Sequence, residues 1–340
     1  MQGLSFFEKV IFIINTIVAL LLLLSYGLSF LPPKQFGVLS VLSLGVPVFI
    51  IFNVLFSVYW LFKLKRQVLM STTVLLLGFN YLTSMYQITG EEQPIHDTSF
   101  KVMSYNVRLF NLFNWIEDNG VDVKIGRFIK AQQPDILCLQ EYRQNKAFEL
   151  SEYYKFERLG GEQVKSGQAI YSKFPIINSG AIEFPNTSND AIFVDVVHKT
   201  DTLRVYNLHL QSSKIDASVE SLKNQSSENL FKRLSKTFQV QQSQAALVID
   251  HIGESPYHSI ITGDFNNTAY SYVYNAIKGD FQDTFETAGQ GFGSTYDFKF
   301  FPFRIDFIMA KSEVEVNRYE TFDVKYSDHL PIQATLNLHP

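Results

Sequence analysis

Hydrophobic patterning changes character near residue 90 of this 340-residue chain. Up to Tyr86 the apolar positions form three long runs, Val10 to Leu31, Phe36 to Phe62 and Val68 to Tyr86, none of which holds an Asp, Glu, Lys or Arg. About twenty consecutive apolar residues cover ~30 Å of hydrocarbon, so three transmembrane helices are predicted, at 10–31, 36–62 and 68–86. Beyond a polar tether the apolar residues recur in short runs rich in β-branched and aromatic side chains. These runs are Phe100 to Tyr105, Ile136 to Leu139, Ala169 to Tyr171, Ala191 to Val197, Leu203 to Leu208, Ser259 to Thr262, Ile305 to Ala310 and Ile332 to Leu336, and they read as strands. Val121 to Gln132 and about Leu230 to His251 read as helices, the second with Leu234, Phe238, Ala245 and Val248 along one face. The predicted organisation is a membrane region (1–90), a linker (91–98) and an α+β domain (99–340) built from packed sheets flanked by helices.

Lys9 ahead of the first run and Ser25-Tyr26-Gly27 within it also fit a cleaved signal peptide, but the stretch continues through Leu31 and outruns the ~7–15 apolar residues of such a segment. Ser71, Thr72, Thr73 and Asn80 dilute the third run, for which a re-entrant or interfacial helix is the alternative. Lys63, Lys65 and Arg66 lie between the second and third runs, against Lys34 alone in the first loop. The positive-inside rule therefore puts that loop and the N-terminus in the cytoplasm. Three crossings then leave the domain extracytoplasmic in an integral, multi-pass protein; without the third crossing the placement reverses.

From residue 91 onward the chain carries 24 basic and 32 acidic residues, a net charge near −8. Proteins that grip long nucleic acid without sequence preference carry a basic excess instead, although bound cations would invert the local field. Cys138 is the only cysteine, which excludes an internal disulfide; it sits among Ile136 to Leu139 as a small buried apolar side chain.

Polar side chains stand where apolar runs give way to turns: SYNVR (104–108), LQE (139–141), YNLHL (206–210), GDFN (263–266), RIDF (304–307) and SDH (327–329). Singly, each is an ordinary turn or strand-end feature. Glu141 leaves a strand end as a hard oxygen donor of the kind Mg²⁺ prefers, and Asn106 offers an amide to a metal or a phosphate. Asp264 and Asn266 flank Phe265 and share a face if the segment is extended, where a carboxylate can deprotonate water. His209 closes a strand, where an imidazolium would meet charge growing on phosphorus.

Taken in this order, the set resembles the endonuclease/exonuclease/phosphatase superfamily, which includes DNase I-like nucleases, inositol-polyphosphate 5-phosphatases and neutral sphingomyelinases. The resemblance runs from about Ser99 to the C-terminus and implies a four-layer α/β/β/α sandwich. It implies that Glu141, with Asn106 and Asp328, holds one Mg²⁺ or Mn²⁺. Asp264 would activate water, and His329, oriented by Asp306, would stabilise the transition state together with His209 and Asn266. Asn266, His209 and Asn106 would also contact the phosphate. Arg108 departs from the pattern, because some abasic-site endonucleases carry a metal-holding aspartate there, which puts a second metal in doubt.

With no buttressed Ser or Cys nucleophile in the set, direct hydrolysis is expected. The chain is expected to be a membrane-anchored, divalent-metal-dependent phosphoester hydrolase whose partners are the lipid bilayer and a nucleic acid, phospholipid head group or sugar phosphate. A catalytically inactive membrane-tethered binding module on the same fold is the alternative. A transport subunit is disfavoured, because the apolar runs lack charged residues. Ser212 to Asn229 is polar and long enough to rim a cleft, or else is plain surface loop.

Overall fold

The computed structural model describes residues 3–90, 92–214, 226–298 and 302–338, so most of the polar stretch Ser212 to Asn229 lies outside the described residues. The N-terminal region comprises α1 (Phe6–Ser25), α2 (Pro33–Val41), α3 (Val46–Phe62), α4 (Val68–Leu77) and α5 (Phe79–Thr83). A Ser5–Glu8 capping box starts α1 by satisfying otherwise orphaned backbone donors. Three of these helices are joined by a buried polar link, in which Asn15 donates to Ser71 Oγ at 2.5 Å and Trp60 Nε1 donates to Asn15 Oδ1 at 2.8 Å.

Among the described residues two helical stretches, Phe6–Phe30 and Pro33–Phe62, are long and apolar enough to cross a membrane. The expectation of three transmembrane helices is corrected here. α4 stops after 10 residues, roughly 15 Å of rise, at Gly78. The Tyr26 ring lies so close that a Cβ on residue 78 would sit 2.0 Å from it, and the chain breaks there before the short α5. The second stretch also bends, through a 3₁₀ turn at Leu42–Gly45, which frees α2 to lie against the domain.

At one end of the bundle Lys65 donates to the Gly3 carbonyl at 3.1 Å and Lys63 lies 3.8 Å from Glu8. At the other end Tyr81 stacks on Tyr270 of the domain, with centroids 6.0 Å apart, and Ser29 and Ser84 bond to Asn275 and Glu286. The basic loop and the domain therefore occupy opposite ends.

The domain runs β1 (Tyr86–Gln87), β2 (Phe100–Asn106), α6 (Val121–Gln132), β3 (Ile136–Tyr142), β4 (Tyr154–Gly160), β5 (Ser166–Ser172), β6 (Ile176–Glu183), β7 (Asp190–His198) and β8 (Asp201–His209). It continues with α7 (Ser227–Gly253), β9 (His258–Asp264), α8 (Tyr272–Lys278), β10 (Gln282–Asp283), α9 (Thr284–Ala288), β11 (Gly291–Phe292), β12 (Asp306–Ala310), β13 (Val314–Thr321) and β14 (Ile332–Leu338). One six-stranded sheet has the order β13-β14-β2-β3-β5-β4 and the other β10-β12-β9-β8-β7-β6. Only β2–β3 and β8–β9 pair parallel among these neighbours.

Period-two alternation explains the layers. Val102, Ile136, Cys138, Val194, Val205, Ile260 and Ile308 fill the space between the sheets. Met103, Tyr105, Leu137 and Leu139 point the other way, onto Ile125 and Ile129 of α6. Tyr206, Leu208, Ile261 and Phe307 face α7 and α8. The result is the expected α/β/β/α sandwich. Every predicted strand forms; β4, β6 and β13 and the two-residue strands β1, β10 and β11 add to them. The edges of the two large sheets are β4, β6, β10 and β13, and β4 and β6 show exposed, weakly patterned faces with no apolar run to read.

Two joints tie the N-terminal region down. Val41 of α2 buries against Leu234 and Phe238 of α7, and the Lys34 N–H bonds Gln242 at 2.8 Å. The predicted linker also follows the domain surface: Gln93 donates to the Asn317 carbonyl at 3.0 Å, and Asn317 returns a bond to Pro94 at 2.9 Å.

Candidate active site

The inward-facing positions of the parallel strands end in polar residues at one mouth of the sandwich. In β2 the series Val102-Ser104 ends at Asn106, in β8 Val205-Asn207 ends at His209, and in β9 Ile260-Thr262 ends at Asp264. His209 and Asp264 sit side by side in the parallel ladder, and Asp306 at the start of β12 pairs with Asp264 from the other side. Glu141 is different. By alternation it would face α6, but a register shift between Leu139 and Tyr142 and its left-handed φ of 46° turn it into the mouth. A bulge re-aims one side chain without disturbing the strand's apolar face. Gly263 adopts φ 128°, and a Cβ there would meet the Leu208 carbonyl at 2.1 Å, so glycine lets β9 deliver Asp264 beside β8.

Asp264 is the hub. Its Oδ2 accepts from Asn106 Nδ2 at 3.0 Å and from Asn266 Nδ2 at 3.2 Å, and its Oδ1 accepts from the Asn266 backbone N–H at 2.7 Å. The same Oδ2 lies 3.8 Å from His329 Nε2 and 3.9 Å from His209 Nε2, which in turn is 4.0 Å from Glu141. His329 Nδ1 bonds both oxygens of Asp306, at 3.0 and 3.1 Å. Asp264 and Asn266 meet through a turn, with Asn266 at φ 49°, rather than through an extended segment. The structure thus brings Glu141, Asn106, His209, Asp264, Asn266, Asp306 and His329 together. Asp328 lies beside them, but its Oδ2 is engaged by Arg108 at 3.2 Å.

Burial lifts the Asp264 carboxyl to about 6, against the opposing pull of His329 and His209. Burial also acts to depress His329, but Asp306 and then Asp264 outweigh it and hold the ring protonated well above its usual range. His209 goes the other way: burial keeps it neutral despite Asp264. It is thus a neutral hydrogen-bonding ring in the free site, not the standing imidazolium that its strand-end position suggested. Its buried Nε2 has no hydrogen-bond partner among the described residues. Glu141 is raised first by burial and also by Asp328.

Several supporting groups carry no motif. Gln140 bridges the sheets, donating to Ser104 at 3.0 Å and Asn207 at 2.6 Å. Buried Gln241 of α7 donates to the carbonyls of Gln211 (2.8 Å), Asn266 (3.2 Å) and Phe265 (3.3 Å), holding the turn after Asp264. Thr295 Oγ1 accepts from Ile305 and Asp306 N–H groups at 3.0 and 3.1 Å, while its carbonyl accepts from Leu330 at 2.7 Å. That clamps the two segments carrying Asp306 and His329. A signal existed for Gln140 and Asn207, which are polar residues at inward positions of otherwise apolar strands. Thr295 lies in the turn Ser294-Thr295-Tyr296 ahead of RIDF, a weak signal, and Gln241 gave none.

The donor set fits a divalent cation at Glu141. Asp264, Asp306 and His329 also lie within 4.8 Å of one another. Within that trio His329 Nδ1 is already bonded to both oxygens of Asp306, and Asp264 accepts three hydrogen bonds from Asn106 and Asn266. Glu141, 35% exposed along its side chain, is the carboxylate left open. Asn106 turns its amide nitrogen to the cluster, because the Arg108 N–H occupies Oδ1 at 3.1 Å. Glu141 and His209 open onto a cleft of 750 Å³ walled by Arg158, Gly160, Ser166, Thr187 and Asn189.

An open carboxylate at Glu141, a raised carboxyl at Asp264 and a His329–Asp306 pair at the mouth of this sandwich are the groups that phosphoester hydrolysis uses. The family model described as the endonuclease/exonuclease/phosphatase family matches residues 103–329, and the chain belongs to that family. A second model, for a domain of unknown function, matches residues 8–85. No curated protein matches the chain significantly. Among solved structures it is similar to the endonuclease/exonuclease/phosphatase from Bacteroides vulgatus, with 23% identity, a TM-score of 0.55 and coverage of 72% of this chain and 100% of that one. It is similar to the mannosyl-6-phosphatase of Bacteroides thetaiotaomicron, at 20% identity and TM-score 0.52 over 70% of this chain and 99% of that one. It is also similar to D. rerio TDP2 complexed with a single-strand DNA product, at 20% and 0.52 over 71% and 100%. These likenesses establish the fold; the family makes the protein a phosphoester hydrolase.

Proposed function

We propose that the protein is a membrane-anchored, divalent-cation-dependent hydrolase of compact, hydroxyl-bearing phosphoesters, a sugar phosphate or a phospholipid head group, in preference to long nucleic acid. The observation that carries the chemistry is Asp264, a buried carboxyl held at about 6 between protonated His329 and neutral His209. In the reaction Asp264 takes a proton from water as the water oxygen bonds to phosphorus and the bond to the leaving oxygen breaks. The proton then passes to the leaving oxygen or to solvent. Asn106 and Asn266 hold the Asp264 carboxylate in place, and His329 and the Nε2 of His209 meet charge growing on the non-bridging oxygens. A bound Mg²⁺ or Mn²⁺ would polarise the phosphate, and Glu141 is the residue that would hold it.

Support for a small polar substrate comes from the cleft wall. Glycine, serine, threonine and asparagine line it beside Leu109, Leu159 and Phe184, and Arg158 is compensated by Glu183 at 2.6 Å and Asp190 at 2.8 Å, which leaves little positive field for a long polyanion. The test is turnover by the purified full-length protein with Mg²⁺ or Mn²⁺, offered sugar phosphates, phosphoinositides, sphingomyelin, single-stranded DNA and RNA. Chelation should abolish turnover. Faster cleavage of DNA or RNA would move the substrate to nucleic acid, and no cleavage of any would refute the enzymatic reading.

The anchor is supported by apolar side chains that face outward from the bundle, among them Phe6, Ile17, Leu24, Leu55 and Phe62, which water would not tolerate as a continuous belt. With Lys63, Lys65 and Arg66 at the end opposite the domain, and with α4 and α5 together carrying the chain back to the domain end as a broken third crossing, the positive-inside rule makes the domain extracytoplasmic. The single native cysteine is fully buried. A Thr200→Cys variant in intact cells should therefore react with an impermeant maleimide; labelling only after permeabilisation would reverse the orientation.

A further inference from the structure

Two charged side chains beside Glu141, Arg108 and Asp328, have no task in the hydrolytic step described above. Their arrangement is nevertheless heavily determined. Arg108 is the first of four consecutive non-glycine residues in left-handed backbone, with φ of 41° at Arg108, 53° at Leu109 and Phe110 and 59° at Asn111. L-residues avoid such a run, so the surroundings must hold it. They do: the Arg108 N–H is bonded to Asn106 Oδ1, Arg143 Nε donates to the Leu109 carbonyl at 2.8 Å, and Asn111 exchanges two hydrogen bonds with Ile116, at 2.9 and 3.0 Å. Phe110 is buried against Tyr142 and Phe148.

The effect of this turn is to set one guanidinium. It lies 4.5 Å from the Trp115 ring centroid on one side and 3.2 Å from Asp328 Oδ2 on the other, with 31% of the side chain still exposed. A planar guanidinium stacked on an aromatic ring and held by a carboxylate is a pre-oriented anion clamp. Its charge, like that of Asp328, is felt at Glu141. A second dication held by Asp328 would have to displace this cation or repel it at close range. Ser327 Oγ bonds both the Asn106 carbonyl, at 2.8 Å, and Asp328 Oδ1, at 3.2 Å, which ties Asp328 to the strand end that launches Arg108.

We infer that Arg108 is a catalytic residue that stands in for a second metal ion, binding the substrate phosphate with its guanidinium, and that Asp328 is its positioning residue rather than a metal ligand. The inference rests on the phosphoester-hydrolase reading of the site, and it makes the enzyme a one-metal hydrolase. A guanidinium neutralises charge on a transferring phosphoryl group without needing a coordination sphere of its own.

The decisive measurement is the number of Mn²⁺ ions bound per full-length chain in detergent, counted by electron paramagnetic resonance titration. Wild type should bind one ion, Asp328→Asn should still bind one, and Glu141→Gln should lose it. Arg108→Asp, which converts the cation into a ligand, should bind two. Alongside, Arg108→Ala should lower kcat/KM for bis(4-nitrophenyl) phosphate by about 10²-fold, the usual loss for one charged transition-state donor, with one Mn²⁺ still bound and partial rescue by added guanidinium ion. Asp328→Asn should lose part of the same rate through the same group. Two ions in wild type, loss of Mn²⁺ in Asp328→Asn, or unchanged kcat/KM in Arg108→Ala would each overturn the inference while leaving the hydrolase reading standing. No Mn²⁺ in wild type would bring down the metal-dependent reading itself.

Discussion

Asp264→Asn should lower kcat by about 10²–10⁴-fold, the range a positioned general base contributes, with a smaller loss of stability than Asp306→Asn. Asparagine matches the carboxylate in shape and can keep the Asn266 backbone donor at Oδ1, but its amide would face the Asn106 and Asn266 donors and it removes one of the two anions that hold His329 charged, so turnover is compared at a temperature where both proteins are folded. The same residue sets a pH dependence. The reaction needs the carboxylate, and burial raises its pKa to about 6, so kcat/KM should fall as pH drops through about 6, approaching one decade per unit. The check is a pH–rate profile with the free protein. A profile flat down to pH 4.5, or an Asp264→Asn variant with wild-type turnover, would remove Asp264 from its role.

Asp306→Asn should be the most damaging substitution to stability in the site, costing about 3–5 kcal/mol, the usual price of taking one partner from a buried ion pair. His329 and Asp306 are both buried, and the imidazolium survives there because Asp306 and Asp264 outweigh the burial penalty. The sign follows from linkage. A histidine whose folded pKa is raised contributes stability that is fully present below its unfolded value, near 6.5, and is lost as pH rises through the folded pKa. The stability gap between wild type and Asp306→Asn should therefore be widest below about pH 6.5 and narrow toward alkaline pH. Urea unfolding of both proteins at several pH values measures it; a gap that widens as pH rises would mean that His329 is neutral in the fold. Turnover should fall in parallel, because an unsupported His329 no longer presents a fixed positive charge to the phosphate.

Much of this site is legible in the sequence. Asn106, Glu141, His209, Asp264, Asp306 and His329 stand in strand-end motifs, and the structure gathers the other five around Asp264. The eight strands with apolar runs could be read because burial on both sides of a sandwich demands continuous hydrophobicity. The edge strands β4 and β6 could not, because exposed faces leave no such run. The third membrane helix failed for a related reason. Apolar composition from Val68 to Tyr86 says that the segment avoids water, but the packing of the Tyr26 ring against Gly78 decides where its helix stops. Gln241 gives no such signal, because glutamine in an amphipathic helix is unremarkable until the carbonyls it holds come within reach.

By itself the sequence determined which residue types stand at the strand ends, and the two-residue alternation determined that Asn106, His209, Asp264 and Asp306 share the face between the sheets. Both are local properties of a pleated chain, in which each side chain's direction follows from its neighbours. Tertiary structure alone decided that Glu141 turns inward through a bulge, that His329 is charged while His209 is neutral, and that Asp328 is paired with Arg108. Those outcomes depend on register, burial and distance between segments more than two hundred residues apart, and no local pattern along the chain encodes them.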